Sequence, residues 1–355
     1  MKNNTLSHII GFLIACSIGA PMSLTAGNVT FDGSLGSGGV ATRIGSTFAI
    51  PQERGRTVGT NLFHSFSQFD LSRGEVASFT GSSVNNILAR VTGGNPSNID
   101  GTIQSTIPGA NFYLMNPSGL LFGPHAALDL TGSFYATTAD YLKFSDRDVF
   151  YADLMRTSLF VSVDPKVFGF LSSTPSQIIV RGSGSVVAQS SGKNGLMVND
   201  GKNLSLIGGD INITTDENGN APQIQAHKGR INLVSLSGTG ELILTDNGVE
   251  FSNNQSGGDI SINGKSDTDD RSVGNINSDE GMVFIRGGNL TMRTASIHAK
   301  NQPEKNKTSV KILLDRDLDI AGVTPIPDQD LTFDIDTSSS VNGSIPYLST
   351  SLKRG

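Results

Sequence analysis

Three groups of carboxylates lie close enough in the chain to share a proton or a cation. They are Asp267, Asp269 and Asp270, then Asp315, Asp317 and Asp319, then Asp334 and Asp336. Two carboxylates facing one groove can cleave a glycosidic bond, and a cluster of hard oxygens can hold calcium. The first group sits in a Gly/Ser-rich loop, which leaves its members solvated. The acids of the other two groups alternate with apolar residues, so on extended backbone they point outward along strands. Asp216-Glu217-Asn218-Gly219-Asn220 misses the glycine position of an EF-hand loop and reads as a polar turn. His64, His125, His227 and His298 are isolated from one another, without zinc-ligand spacing, and no serine stands in a Gly-x-Ser-x-Gly elbow. Gly182-Ser183-Gly184-Ser185 precedes a strand and not a helix, so it builds no phosphate cradle. The chemistry-bearing residue types are present without the spacing that chemistry needs. No catalytic residue, metal ligand or cofactor is expected.

The elements that would have to position such residues are short strands. Apolar and polar residues alternate in Leu128-Asp129-Leu130, Leu204-Ser205-Leu206, Ile211-Asn212-Ile213, Ile231-Asn232-Leu233, Ile260-Ser261-Ile262, Leu290-Thr291-Met292 and Val310-Lys311-Ile312, and Leu242-Ile243-Leu244, wholly apolar, is read as a strand of the same series. A Gly-Gly-Asp/Asn lead recurs at Gly208-Gly209-Asp210, Gly257-Gly258-Asp259 and Gly287-Gly288-Asn289, each followed by an alternating pair. Strands returning at intervals of roughly 20 residues, or multiples of it, fit stacked coils better than a sandwich. The expected fold is all-β: a right-handed parallel β-helix with an N-terminal cap and extra-helical hairpins. At roughly 20 residues per coil and about 4.8 Å per step, residues 27–320 would make a rod on the order of 70 Å long. Asn28-Val29-Thr30-Phe31 and the cluster Phe63, Phe66 and Phe69 are candidates for the cap; their spacing of three also allows a helical turn. The segment Thr138–Arg156 lacks alternation and is expected to project as a hairpin or loop.

Among the 355 residues are 42 glycines, one cysteine and no tryptophan, and the net charge is -6. That charge, without any basic stripe, excludes nucleic acid as a partner. Lys2, the apolar run Ile9–Ile18 and Thr25-Ala26 form an export signal, with the mature chain starting near Gly27. Leu13-Ile14-Ala15-Cys16 also resembles a lipoprotein box; simple cleavage is preferred because the small, apolar character continues to Ala26. Either route leaves no internal disulfide, which suits a chain that crosses an oxidising compartment unfolded.

One turn stands out. Asn116-Pro117-Ser118-Gly119-Leu120 combines a proline that pre-sets the turn, an asparagine able to bond its own backbone, and a glycine open to left-handed dihedrals. Around it, Asn61–Phe79, Asn85–Ile103 and Asn116–Leu142 resemble, in order, the N-terminal secretion domain of two-partner-secreted exoproteins, the filamentous haemagglutinin family. A weaker likeness continues to about residue 245. The resemblance implies a β-helical domain that addresses the protein to a dedicated outer-membrane β-barrel transporter with periplasmic binding domains. It also implies a secreted or surface location, reached through the periplasm and outer membrane. The family's NPNGI motif appears with Ser118 and Leu120 replacing Asn and Ile. A second Asn-Pro motif is matched loosely, at Asn95-Pro96-Ser97-Asn98. Asn95, Pro96, Asn116, Pro117, Ser118, Gly119 and Leu120 are therefore the candidate site, either contacting the transporter or only shaping the coil. The expected organisation is a signal peptide (1–26), the secretion domain (27–260), further coils (261–322) and an irregular polar tail (323–355). An adhesive role, with a host-cell or surface glycan as receptor, and a monomeric state are expected. The alternative is a carbohydrate-active β-helix enzyme, of lyase or hydrolase type.

Overall fold

The computed structural model describes residues 27–182, 195–245, 248–252, 255–264, 276–278, 280–295, 297–299 and 310–321, plus the backbone of three later strands. The expected signal segment with Cys16, the group Asp267, Asp269 and Asp270, and Ser183–Ser185 lie outside the described residues.

The chain winds as a parallel β-helix. One complete coil runs from Asn86–Val91 through Ser97–Ile99 and Thr102–Ser105 to Asn111–Met115, which pairs in parallel with the strand that began it. Repetition of this path builds three walls. The first wall is the longest, a sheet in which Asn61–Phe69, Asn86–Val91, Asn111–Met115, Phe134–Thr137, Leu204–Gly208, Arg230–Ser235, Met282–Gly287 and Val310–Leu314 stack in sequence order. The second wall runs from Thr47–Pro51 to Ala127–Asp129 and continues through a bridge from Ala127 to Gly195. The third runs from Ser97–Ile99 to Val341–Asn342. Each recurring Gly-Gly-Asp/Asn lead forms a corner that opens into a strand of the third wall.

The bore is filled by the inward residue of every wall. Toward the N-terminal end it is aromatic: Phe31, Phe66, Phe69, Phe79, Phe112, Phe122 and Phe134 are all within 4% of complete burial. Their rings meet in an edge and stacked series, such as Phe79 on Phe112 at 4.7 Å. Toward the other end, Ile213, Ile231, Ile260, Ile285 and Ile312 take over.

Phe63, Phe66 and Phe69 lie on one strand and not on a helical turn. Simple alternation would place Phe66 and Phe69 on opposite faces. An irregularity in the pairing with Val29–Phe31, where Thr30 opposes Gln68 and Phe31 opposes Phe66, skips Ser67 and returns both rings to the bore. Val29–Phe31 and Gly39–Val40 close this end with antiparallel pairing, as the cap expectation required.

The segment after Thr138 does not project freely. Tyr141–Lys143 and Val149–Tyr151 form a hairpin, which joins Val167–Phe170, Gly240–Thr245 and Gly248–Phe251 in an antiparallel five-stranded outer sheet. This sheet lies on the outside of the first wall. Between them is a second core: Phe63, Leu88, Tyr113, Met115, Ile207, Val234 and Phe284 below, Leu142, Phe150, Phe168, Phe170 and Leu242 above. Leu242-Ile243-Leu244, expected in a coil, belongs instead to this outer sheet. Lys143 and Glu241 pair across it at 3.0 Å, and the Tyr141 hydroxyl donates to Glu241 at 2.7 Å.

The two insertions that build the outer sheet lengthen their coils. Phe134 stacks on Leu204 and Ile231 on Val283, each pair separated in sequence by far more than a simple coil. Eight stacked strands from Asn61–Phe69 to Val310–Leu314 span about 34 Å at roughly 4.8 Å per step, half the expected length. Beyond residue 322, where an irregular tail was expected, the backbone supplies Thr332–Thr337, Val341–Asn342 and Ser349–Arg354 as further parallel strands. The alternation Phe333-Asp334-Ile335 is the sequence pattern behind the first of them.

His64 is fully buried against Phe31, Phe66 and Phe79, and neither ring nitrogen has a hydrogen-bond partner. Burial pushes its pKa from 6.5 down to about 3. Between those values the unfolded chain binds a proton that the folded chain refuses. Stability is therefore complete above about pH 6.5 and declines as pH falls toward 3, at roughly 1.4 kcal/mol per pH unit at most. Urea unfolding at pH 7.5, 6.5 and 5.5 should show this decline in the wild type and a flatter response in His64→Leu. Parallel declines in both proteins would exclude His64 as the cause.

Candidate functional site

The two Asn-Pro turns, with Asn95 and Asn116 21 residues apart in sequence, are stacked neighbours at the corner between the first and third walls. Ser97–Ile99 pairs in parallel with Leu120–Phe122, so Leu120 sits directly on Ser97. Asn116 is completely buried, and its amide group works in three directions. Nδ2 donates to the Asn95 carbonyl at 3.0 Å and to Ser97 Oγ at 3.0 Å, while Oδ1 accepts from the Ser118 amide at 2.9 Å. The turn is closed by Gly119 N–H donating to the Asn116 carbonyl at 3.0 Å. It is tied to the coil before by Ser97 N–H to the Gly119 carbonyl, and to the coil after by Leu120 N–H to the Gln177 carbonyl. Gly119 holds φ at +118°, a backbone region that side chains resist, with Pro96 and Ser176 on either side.

This arrangement divides the candidate residues. Asn116, Gly119 and Leu120 are buried and occupied with the coil; Pro117 and Ser118 are half-exposed; the side chains of Asn95 and Pro96 stand in solvent. The column continues below as a polar ladder: Asp259 N–H to Asp210 Oδ1 at 2.9 Å, Asn289 Nδ2 to Asp259 Oδ1 at 2.9 Å, and Asp317 N–H to Asn289 Oδ1 at 3.1 Å.

Two Asn-Pro turns in register, carried on stacked parallel coils behind an antiparallel cap, are the setting in which the sequence comparisons decide the family. The sequence pattern of the TPS secretion domain family matches residues 27–306. This chain belongs to the TPS secretion domain family. Among solved structures, the crystal structure of the HMW1 secretion domain from Haemophilus influenzae is similar to it. That match has 16% identity and a TM-score of 0.45, and covers 89% of this chain and 70% of that one. No curated protein matches the chain.

Within this TPS secretion domain the described carboxylates do not converge. Asp315 and Asp317 occupy the corner between Val310–Leu314 and Leu318–Ala321, and only Asp319 lies on a strand, so the outward row expected of them is absent. Asp315 pairs with Arg286 at 2.7 Å and accepts from the Gly257 amide, and Asp319 pairs with Arg293. Asp334 and Asp336 lie on Thr332–Thr337, whose backbone alone is described. Among the described residues no group of three or more His, Cys, Asp or Glu could hold a metal ion. His125 and His227 each face an aspartate one coil earlier, Asp100 and Asp200, at 3.0 Å. Asp216 closes the expected polar turn by accepting from the Asn218 and Asn220 amides.

Two polar devices of the TPS secretion domain, built mainly from buried side chains, escape the sequence reading. Asn61, Asn86 and Asn111 form a ladder at the head of the first wall, Asn86 Nδ2 donating to Asn61 Oδ1 at 2.8 Å and Asn111 Nδ2 to Asn86 Oδ1 at 3.1 Å. Asn61 also donates to the carbonyls of Val161 and Val163, and Asn86 to Asp164, which straps the outer segment to the rod. Their signal is an asparagine leading two apolar residues every 25 positions. The second device is Arg90, buried at 3% exposure over the Phe150 ring. Its nitrogens reach Ser65 of the first coil, Ser34 of the cap, and Tyr151 and Ser158 of the outer segment. Burial lowers its pKa to about 10, opposed by the charge of Asp32, so it stays a cation at neutral pH. Burial alone would raise the Asp32 carboxyl, but donors from Ser65, Ser34 and Thr92 hold it below its ordinary value.

Asn116→Ala removes, from a completely buried side chain, the two donors to the Asn95 carbonyl and Ser97 Oγ and the acceptor of the Ser118 amide. Chemical denaturation should show a loss of about 2–4 kcal/mol relative to wild type. A loss below about 1 kcal/mol would mean that this side chain does not hold the turn.

Proposed function

We propose that this chain is a secreted exoprotein exported by a dedicated outer-membrane β-barrel transporter, and that residues from 27 onward carry the export address. The observation that supports this reading most is the family match over residues 27–306, which spans the cap, the stacked coils and the outer sheet together. Among the described residues no helix is long and apolar enough to cross a membrane. The partner we assign is a barrel with periplasmic binding domains that reads the corner column. Asn95 and Pro96, exposed at that corner, are the residues we assign to recognition, with Pro117 and Ser118 beside them; Asn116, Gly119 and Leu120 give the corner its shape. The mature protein reaches the outside of the cell or its surface, where adhesion to a host-cell or surface glycan is its proposed role, as a monomer.

The physics of the coil suits such a route. Outside the outer membrane there is no nucleotide to drive transport, so folding must supply the bias. Each coil adds several bore side chains, and burying one is worth about 1.5–3 kcal/mol. Because coils contact their neighbours first, burial can proceed step by step as chain emerges.

Co-expression of the full chain with its transporter separates recognition from shape. The double variant Asn95→Ala and Pro96→Ala should reduce export at least several-fold while leaving the denaturation midpoint of the purified protein in place. Wild-type export of this variant would remove the exposed corner from the recognition surface.

A further inference from the structure

A carboxylate is buried where the described chain begins. Glu75 ends the tight turn that starts at Ser72, and it is only 4% exposed. Its Oε2 accepts from the Ser72 amide at 2.8 Å and from the Gly27 nitrogen at 2.9 Å. Its Oε1 pairs with Arg43 Nη2 at 2.7 Å. Arg43 is itself held by its Nε donating to the Gly45 carbonyl and by the Phe48 ring beneath it at 5.1 Å. One carboxylate thus joins residue 27, the strand Thr42–Ile44 that pairs with Thr47–Pro51, and the tight turn from Ser72 to Glu75.

The site around residue 27 accepts only glycine. A Cβ there would stand 2.1 Å from Glu75 Oε2, 2.6 Å from the Asp70 carbonyl and 2.9 Å from Leu71 Cα. The next residue is fixed as well, because the Asp70 amide donates to the Asn28 carbonyl at 2.8 Å. Residue 27 is also where the small-residue cleavage rule, applied to Thr25-Ala26, ends the export signal. Two unrelated constraints, one from processing and one from packing, meet at a single nitrogen.

We propose that Glu75 is a receptor for the N-terminus made by signal removal, so that cleavage of the Ala26–Gly27 bond locks the cap. The proposal rests on reading residues 1–26 as an export signal. In the cleavage, a signal peptidase adds water across the amide: Ala26 leaves as a carboxylate, and the Gly27 nitrogen becomes an α-ammonium. An α-amino group has an ordinary pKa near 8, so it is charged at neutral pH. The same nitrogen that donated as a neutral amide then donates as a cation to a buried carboxylate, a stronger class of hydrogen bond. Arg43 offers Glu75 a partner from the solvent side only, its side chain being 41% exposed. The ammonium supplies the partner on the inner side, two residues before the strand Val29–Phe31 that closes the rod.

The test needs no transporter. The full chain, expressed with its signal in cells lacking the transporter, is recovered from the periplasm and its intact mass measured; the expected first residue is Gly27. Two mature chains are then prepared with a tag protease, one starting at Gly27 and one carrying Thr25-Ala26 ahead of it. The chain starting at Gly27 should have a folding constant about tenfold higher, and Glu75→Gln should bring the two to the same value. If Glu75→Gln does not fold, acylation of the wild-type α-amine at pH 7 serves instead, and should run at least several-fold slower than in the extended chain. A different first residue, coincident unfolding curves for the two wild-type ends, or an unprotected amine would each overturn the proposal. If export fails in the co-expression experiment described above while the tenfold difference holds, that result counts against the secretion reading alone.

Discussion

Every wall of this rod is a stack of parallel strands, and a strand in such a stack has its backbone groups satisfied only by the coil before it and the coil after it. The first coil has no coil before it. That missing neighbour is the constraint from which the rest of the N-terminal half follows. Val29–Phe31 and Gly39–Val40 close the first wall with antiparallel pairing, and Thr42–Ile44 does the same for the second wall. Antiparallel strands complete the pairing without offering another parallel edge of the same kind, which limits growth by addition of a second molecule. Arg90 then fixes this closure from the outward face of the first wall, beneath the outer segment, because one guanidinium with five donors can reach three elements at once.

The outer sheet changes what kind of solenoid this is. In a simple stack, stability is a sum of nearest-neighbour terms, and any coil can open with modest effect on distant ones. Here Val167–Phe170 pairs with Gly240–Thr245, and Asn61 bonds to carbonyls 100 and 102 residues away. These long connections bind the first coils to later insertions. The first wall consequently has two apolar faces, and strands such as Asn86–Val91 are buried at every residue. A wall of this kind reads as a hydrophobic run, in the manner of parallel sheets covered on both sides.

That difference explains what the sequence disclosed. Ile211-Asn212-Ile213 and Ile260-Ser261-Ile262 alternate because the third wall has one face in solvent, and they were legible as coil strands. Leu242-Ile243-Leu244, apolar at all three positions, forms a strand of the outer sheet, since local sequence reports a strand and not the direction of its partner. The spacing of Phe63, Phe66 and Phe69 carried the mark of a pairing irregularity, which no local pattern distinguishes from a helical turn. The Asn116 turn was legible as a turn through its proline and glycine. Its contact with Asn95 was not, because that contact exists only once two coils are in register. Glu75 and Gly27 are 48 residues apart and were hidden for the same reason.

Register is thus what converts an ordinary sequence into specific sites. A parallel stack places residue i beside its counterpart one coil later, so buried side chains of the same type can bond to each other in rows. Asn61, Asn86 and Asn111 do so at a spacing of 25 residues. Such a row resists slippage, since moving one coil by a single residue would set an asparagine against an apolar neighbour and leave its amide unpaired in a dry interior. The apolar bore alone would tolerate that error better, because most of its residues are interchangeable aliphatics or phenylalanines. Polar rows at the corners and at the head of the first wall therefore fix alignment, while the bore supplies most of the driving force. In a chain that folds coil after coil, an early error in register would be inherited by every later coil. Consistent with that demand, the asparagine row and the Asn116 turn lie in the first coils, next to the cap.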